Sequence, residues 1–263
     1  MMRMFVEGIG IFAPGLIGWE QARAVLAETA SYVPGELPRL QPSILAPDMR
    51  RRASVHVRLA VEVAAQAVAH ANRDPESLAS VFVSSEADGE TTHYICEEVS
   101  RPAPQVSPTK FHNSVNNTAA GYFSMAVGSS MPSTSIVCWD RGVAAGLIEA
   151  AAQHSSGVDV LLVVDDLPMP PPLYEHHPFA APFGAALVLT RERGPRTLAS
   201  VSLTGEAVIG DATTSSDGAL EKLRQGNPAA FLLPVLAAIA AQRRATVLLP
   251  YFDGRVLEIG VEP

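Results

Sequence analysis

Two side chains two residues apart, Cys138 and Asp140, stand where an apolar run (SIVCW) gives way to the small-residue stretch RGVAAGLIEAAAQH. A thiol at such a turn, with His176 and His177 later in the chain, has the makings of a Cys/His acyl-transfer pair. A structural reading competes at each position. On a strand Cys138 falls in step with Ile136, so a buried structural cysteine is expected there. Asp140, at the start of the next periodic segment, would serve as a helix N-cap, a role compatible with a functional carboxylate. His176 and His177 follow Glu175 in a proline-rich loop. Adjacent histidines without a third partner do not make a metal site, so solvated loop histidines are expected, with no metal and no cofactor. Asp165-Asp166 ends a strand-like run, and two carboxylates alone are weak grounds for a cation. Gly8-x-Gly10 lacks the third glycine and the later acidic residue of a dinucleotide fingerprint, so it reads as a place where two backbones pack closely.

The elements that must hold these residues alternate. Met4 to Phe12 is a β-rich run, and residues 18–29 are amphipathic. In RRRASVHVRLAVEVAAQAVAHANRD, Val57, Ala60, Val61, Ala64, Ala65 and Val68 recur at helical spacing and give one apolar face. Further strands are expected at 80–84, 133–139, 158–165, 183–190 and 197–207, and helices at 91–100, 117–128 and 141–154. Gly142, Ala145 and Gly146 keep the last of these slim enough to approach a neighbouring backbone. Residues 102–115, with Pro102, Pro104 and Pro108, read as an irregular loop. The tail reads as a helix near 228–243 and a hairpin turning at Asp253-Gly254. Strands alternating with helices point to an α/β layered fold.

Residues 113–142, NSVNNTAAGYFSMAVGSSMPSTSIVCWDRG, resemble the centre of the N-terminal half of a β-ketoacyl synthase, a thiolase-fold condensing enzyme. Asn117-Thr118-Ala119-Ala120-Gly121 is similar to the family's Asn-x-x-Ala-Gly, and Pro132-Ser133 opens the strand leading to the nucleophile. MFVEGIGIFAPG, DVLLVVDD and FGAALVLTRE resemble flanking strands, so the likeness spans residues 3–205. It implies a thiolase-like half-fold: a mixed, mostly parallel five-stranded sheet with helices on both faces. Residues 1–205 would form that domain, and 206–263 a C-terminal helix–hairpin cap packed on it.

The departures from the family are informative. Counted without gaps from Pro132-Ser133, the catalytic cysteine's place falls to Asp140. A condensing enzyme needs a thiolate there, because the acyl chain is held as a thioester and must leave again. No histidine follows His177, and Lys222 is the only later lysine, so the family's histidines and lysine are missing from their places. Autonomous condensation is not expected. The pattern resembles truncated, chain-length-factor-like partners of type II polyketide systems, those making aryl polyene pigments included. The resemblance implies a heterodimer with a catalytic ketosynthase across the strand before the turn. It places His112, Asn113 and Asn117 near where subunits meet. Tyr122, Phe123 and Met125 would be core or the wall of an acyl tunnel. Chain-length factors usually carry Gln at the lost position, so Asp140 leaves any residual decarboxylation-promoting role without its usual group. The alternative is a free-standing acyltransferase or thioesterase using Cys138 with His176 or His177.

Composition narrows the partners. Nineteen basic against 27 acidic residues give a net charge of −8, with no basic run beyond Arg50-Arg51-Arg52, which argues against a nucleic-acid surface. Acyl carrier proteins are acidic, so a chain with this net charge is expected to meet one only indirectly, through its partner. Two cysteines make no disulfide framework. Glu7, Pro14 and Glu20 interrupt the apolar N-terminus, so no signal peptide is expected, and no apolar stretch is long enough for a membrane span. The expected location is cytoplasmic.

Overall fold

The computed structural model describes residues 2–263. In chain order the elements are β1 (Met2–Ala13), β2 (Leu16–Ile17), α1 (Trp19–Leu26), α2 (Pro47–Arg52), α3 (Val55–Ala71), β3 (Ala79–Ser84), α4 (Gly89–Ser100), α5 (Pro108–Asn113) and α6 (Thr118–Val127). They continue as β4 (Ser133–Val137), α7 (Gly142–Ser155), β5 (Val160–Asp166), β6 (Phe183–Thr190), β7 (Ala199–Ile209), α8 (Gly218–Gln225), α9 (Leu233–Ala240), β8 (Ala245–Pro250) and β9 (Arg255–Glu262). Strand β2 and helices α2, α5 and α8 were not expected. Pro108 does not break the 102–115 segment; it starts α5, with the Ser107 hydroxyl accepting from Lys110 N–H, because proline suits a first helical turn. Helix α8 is short and mostly polar, and is held by Asp217, whose carboxylate accepts from Ala219 and Leu220 N–H.

All strands join one sheet in the order β4-β3-β5-β6-β1-β7-β9-β8, with β2 paired to β1. The five strands expected of the half-fold are its contiguous run β4-β3-β5-β6-β1. Within that run β3 is parallel to β4 and β5, while β6 is antiparallel to both β5 and β1. Four of the five therefore point the same way, a mixed and mostly parallel core. The count of five is too low for the whole sheet, which has nine strands. The C-terminal hairpin does not lie on a face; β9 pairs with β7 and extends the edge. The sheet curls enough to bring β8 near α7, while α9 packs against α1. The hairpin turns at Asp253 and Gly254, both with positive φ (57° and 67°), as the Asp-Gly pair requires.

Helices cover both faces. Helix α7, with α1, α8 and α9, packs on one side, and α3 with α6 on the other. Helix α3 starts at Ser54, whose hydroxyl accepts from Val57 N–H, and ends at Asn72 in the left-handed region. Its buried surface adds Leu59, Val63 and Ala67 to the expected stripe, of which Ala65 is only half-buried. Gly8 and Gly10 let it lie directly on β1: a Cβ on either would come within 2.1 Å of a carbonyl oxygen of α3. On the opposite face a Cβ on Gly146 would meet Val83 at 2.6 Å, so the slim side of α7 is the side against the sheet.

Candidate functional site

The turn between β4 and α7 carries the residues that the sequence singled out. After Val137 the chain passes through Cys138 and a single tight turn, Trp139–Arg141, into α7. Trp139 sits at φ +43°, a left-handed setting that a bulky residue adopts only under constraint from its surroundings. The apex of the turn is thus an indole, followed by a carboxylate, with no thiol at either position. Cys138 is half-buried rather than buried, because β4 is an edge strand open on one side. Asp140 does not cap α7. The residue at that boundary is Arg141, which makes no side-chain cap, and the Asp140 carboxylate instead meets His177 Nε2 at 3.2 Å.

His177 is not solvated. Its Nδ1 lies 2.9 Å from Glu86 Oε1, and its ring packs 4.4 Å from both Trp139 and Phe179. Two carboxylates face the two ring nitrogens, and both contacts are hydrogen bonds only when both nitrogens carry a proton. Both nitrogens are thereby taken up by carboxylates rather than by Cys138. His176, next to it, is exposed as expected. The Glu86–His177–Asp140 bridge joins residues 91 and 37 positions apart, a separation with no sequence signal.

Beneath the turn lies a buried acidic hub that ties three segments together. Asp166 Oδ1 accepts from the hydroxyls of Ser84 and Ser85 and from Ser85 N–H, each at 2.8 Å, and its Oδ2 accepts from Ala229 N–H at 3.1 Å. Burial pushes its pKa up to about 7, against the lowering effect of the Ser85 hydrogen bonds. Asp165 Oδ2 stands 2.9 Å from His56 Nδ1, and both are buried. Burial alone would lower the His56 pKa, but the Asp165 carboxylate beside it, with Asp88 and Asp166, outweighs it and carries it up to about 9. Asp166 is therefore spent on internal hydrogen bonds, and Asp165 faces His56 as a charge. His56 escaped notice in the sequence because it lies in an apolar helical run. The cavities lined by His56, Asp165 and Ser135, and by Trp139 and Asp166, each measure about 10 Å³, room for one water and not for an acyl chain.

The profile of the family described as Beta-ketoacyl synthase, N-terminal domain, matches residues 19–248. The chain belongs to that family. A comparison with curated proteins finds no match. Among solved structures, a chain of the complex of a ketosynthase with its chain length factor from Xenorhabdus doucetiae superposes with a TM-score of 0.72 at 20% identity, covering 99% of this chain and 100% of that one. A chain from a type II polyketide synthase acyl-carrier protein bound to its ketosynthase gives 0.75 at 13% identity, covering 99% of each. The ishigamide ketosynthase/chain length factor gives 0.57 at 16% identity, covering 87% of this chain and 70% of that one. At these identities the likeness is one of fold.

In this β-ketoacyl synthase-family chain, α6 packs beside β4, and Asn116, between α5 and α6, donates to Ser135 O of that strand at 3.3 Å. Asn113 is buried: its Nδ2 donates to Arg52 O at 2.8 Å, and its Oδ1 accepts from the Tyr122 hydroxyl at 3.3 Å. His112 is exposed, edge-on to the Tyr122 ring, and Asn117 is exposed at the start of α6 without capping it. Tyr122 and Phe123 are core, Phe123 lying 5.9 Å from Phe82, whereas Met125 is 61% exposed. Phe111, Val115, Met125, Val137 and Trp139 give this side a series of exposed apolar groups. The sequence did not suggest a second feature: Arg39, Arg50, Arg51 and Arg58 line one open groove of about 560 Å³. A chain with a net charge of −8 thus carries a concentrated positive surface. Among the described residues, no helix is long and apolar enough to cross a membrane.

Proposed function

We propose that this chain is a non-catalytic, chain-length-factor-like subunit that pairs with a catalytic ketosynthase across β4 and the α5–α6 side. The reading belongs to fatty-acid or polyketide assembly, with aryl polyene synthesis as its narrower form. The observation that carries it is the turn at 138–141: it keeps the strand–turn–helix frame of a nucleophile but presents Trp139 and Asp140 at its apex. A thioester-forming step has no group to start from there. The open edge of β4 supports the pairing, since an unpaired strand beside exposed apolar side chains is a template for a second chain. The water-sized cavities near the turn support the view that a growing acyl chain is housed between subunits and not inside this one.

The test is co-expression with a catalytic ketosynthase from the same genome, followed by size exclusion with light scattering. A 1:1 complex that Val137→Arg and Met125→Glu each abolish, with the isolated chain still folded, is the expected result. Condensing activity from the isolated chain, or a complex indifferent to both substitutions, would refute the reading. Rapid iodoacetamide labelling of Cys138 that stops acyl transfer would favour the free-standing acyltransferase or thioesterase instead.

The arginine groove favours a second reading of the carrier protein's place. Net charge argued that an acidic carrier protein meets only the partner subunit, but the groove offers a local site of the right sign on this chain. Carrier-protein titration of the isolated chain, with and without Arg50→Glu and Arg51→Glu, separates direct from indirect contact.

A further inference from the structure

Three segments bring arginines to one groove at the corner between α2 and α3. Arg39 comes from the chain ahead of α2, Arg50 and Arg51 from α2, and Arg58 from the start of α3; Leu40, Gln41 and Pro47 complete the lining. Four of the seven lining residues are cations and none is an anion. Among the described residues none of the four forms an ion pair, and the acid nearest in sequence, Asp48, is taken by Arg52 at 2.8 Å. Like charges gathered in one groove repel, a cost to the folded chain that a bound anion would remove. The groove is also held in shape. Leu37, Leu40, Ile44 and Met49 pack against the core on the α3 side, and Leu45 is buried within it. Arg58 Nε donates to Arg50 O at 3.1 Å, which fixes the guanidinium and leaves its terminal nitrogens, without a protein partner, free for a ligand.

We propose that this groove binds a diphosphate group. A guanidinium presents a planar fork of N–H donors that matches the oxygens of a phosphate two at a time. Charge decides the number of phosphates. One phosphate monoester carries about −1.5 to −2 at neutral pH, half or less of what four guanidiniums oppose to it, whereas two linked phosphates come close to balance. A volume of about 560 Å³ is that of a small-molecule site and leaves room beyond the phosphates, walled by Leu40 and Pro47. The inference goes beyond pairing with a ketosynthase, which uses β4 and not this groove, and it requires no contact with a carrier protein.

Titration calorimetry on the isolated full-length chain, with inorganic phosphate, pyrophosphate and ADP at low salt in EDTA, tests it. Pyrophosphate and ADP should each bind about tenfold or more tightly than phosphate. Tighter binding of ADP identifies an organic diphosphate as the occupant, and tighter binding of pyrophosphate the free anion. Arg50→Gln/Arg51→Gln should weaken that binding about tenfold, and Arg51→Gln alone, at an exposed position, decides the matter if the double variant does not fold. Arg58→Lys, which keeps the charge and loses the fork, should weaken it as well. Arg23→Gln/Arg196→Gln removes the same net charge at exposed positions outside the groove and should leave binding unchanged. Equal affinity for phosphate and pyrophosphate, or equal losses in the groove and control variants, would overturn the proposal. So would an absence of binding to all three anions; carrier-protein binding that needs Arg50 and Arg51 would then make the groove a protein contact. A failure of ketosynthase pairing would show in co-purification and leave these titrations unaffected, so the two readings fail separately.

Discussion

Gly10→Ala adds a single methyl group at the contact between β1 and α3, and its cost can be worked out in advance. The new Cβ would sit 2.1 Å from Val63 O and 3.0 Å from Ala67 N, backbone atoms of a helix that cannot rotate away, whereas ordinary contact begins near 3.4 Å. Helix α3 must therefore retreat by about 1 Å, enough to forfeit a quarter to a half of the dispersion attraction at the contacts it opens. Overpacking of this kind costs about 1–3 kcal/mol. Two hydrogen bonds cross the same gap, Ile9 N–H to His70 Nδ1 and Ile11 N–H to Gln66 Oε1, both at 3.1 Å. Stretching them adds about 1 kcal/mol each. The sum, about 3–5 kcal/mol, corresponds to a fall in Tm of roughly 10 °C for a domain of this size. Differential scanning calorimetry beside Gly205→Ala makes the comparison clean. Gly205 has φ +85° but nothing within 4 Å of its would-be Cβ, so only backbone strain of about 1–2 kcal/mol applies. A Gly10→Ala protein melting within 2 °C of wild type would refute the close-packing account of Gly8-x-Gly10.

Stability should fall as pH rises across the neutral range. Asp166, with a folded pKa near 7 against 3.8, contributes stability fully below about pH 4 and loses it by about 7; His56, near 9 against 6.5, contributes below 6.5 and loses it by about 9. Glu221, held down to about 2 chiefly by Arg224, works the other way in acid, so urea midpoints should peak near pH 4–5. Asp166→Asn should flatten the decline between pH 4 and 7, and an unchanged slope would count against the hub. Gly146→Val should fail to yield soluble protein or lose about 3 kcal/mol, because its methyls would drive into Val83 and Leu162. Arg50→Glu/Arg51→Glu should weaken carrier-protein binding at low salt and abolish its salt dependence if the groove is the contact; equal affinity in both proteins would exclude it.

What the sequence disclosed was mostly local. Gly8-x-Gly10, the small residues of α7 and the Asp253-Gly254 turn were legible because each expresses a backbone demand that glycine meets in place. The mixed, mostly parallel character of the core strands was legible through family resemblance rather than through periodicity. Long-range pairing was not. His177 read as a solvated loop residue because Glu86 and Asp140, its partners, have no fixed distance from it along the chain. Asp140 read as a cap because a helix did begin there, although the tight turn displaced the cap by one residue. The arginine groove was hidden by summation: Arg39, Arg50, Arg51 and Arg58 vanish into a net charge of −8. Helix α5 has only an ambiguous signal in the sequence, because Pro108 suits a chain break and a first helical turn alike.

The two ends of the sheet differ in a way that limits how the molecule can assemble. Along β8 the outer edge is occupied by Thr213, whose N–H donates to Leu248 O at 2.9 Å and whose hydroxyl accepts from Leu248 N–H at 2.8 Å. At the other end β4 pairs with β3 alone among the strands, and a single side chain reaches its backbone, Asn116 Nδ2 donating to Ser135 O at 3.3 Å. A sheet stopped at one end and open at the other has a valence of one. A chain added at β4 that carries a stopped end of its own completes the structure, and a third has nowhere to continue. Growth by edge addition is therefore favoured only at β4, because Thr213 blocks the far edge seven strands away.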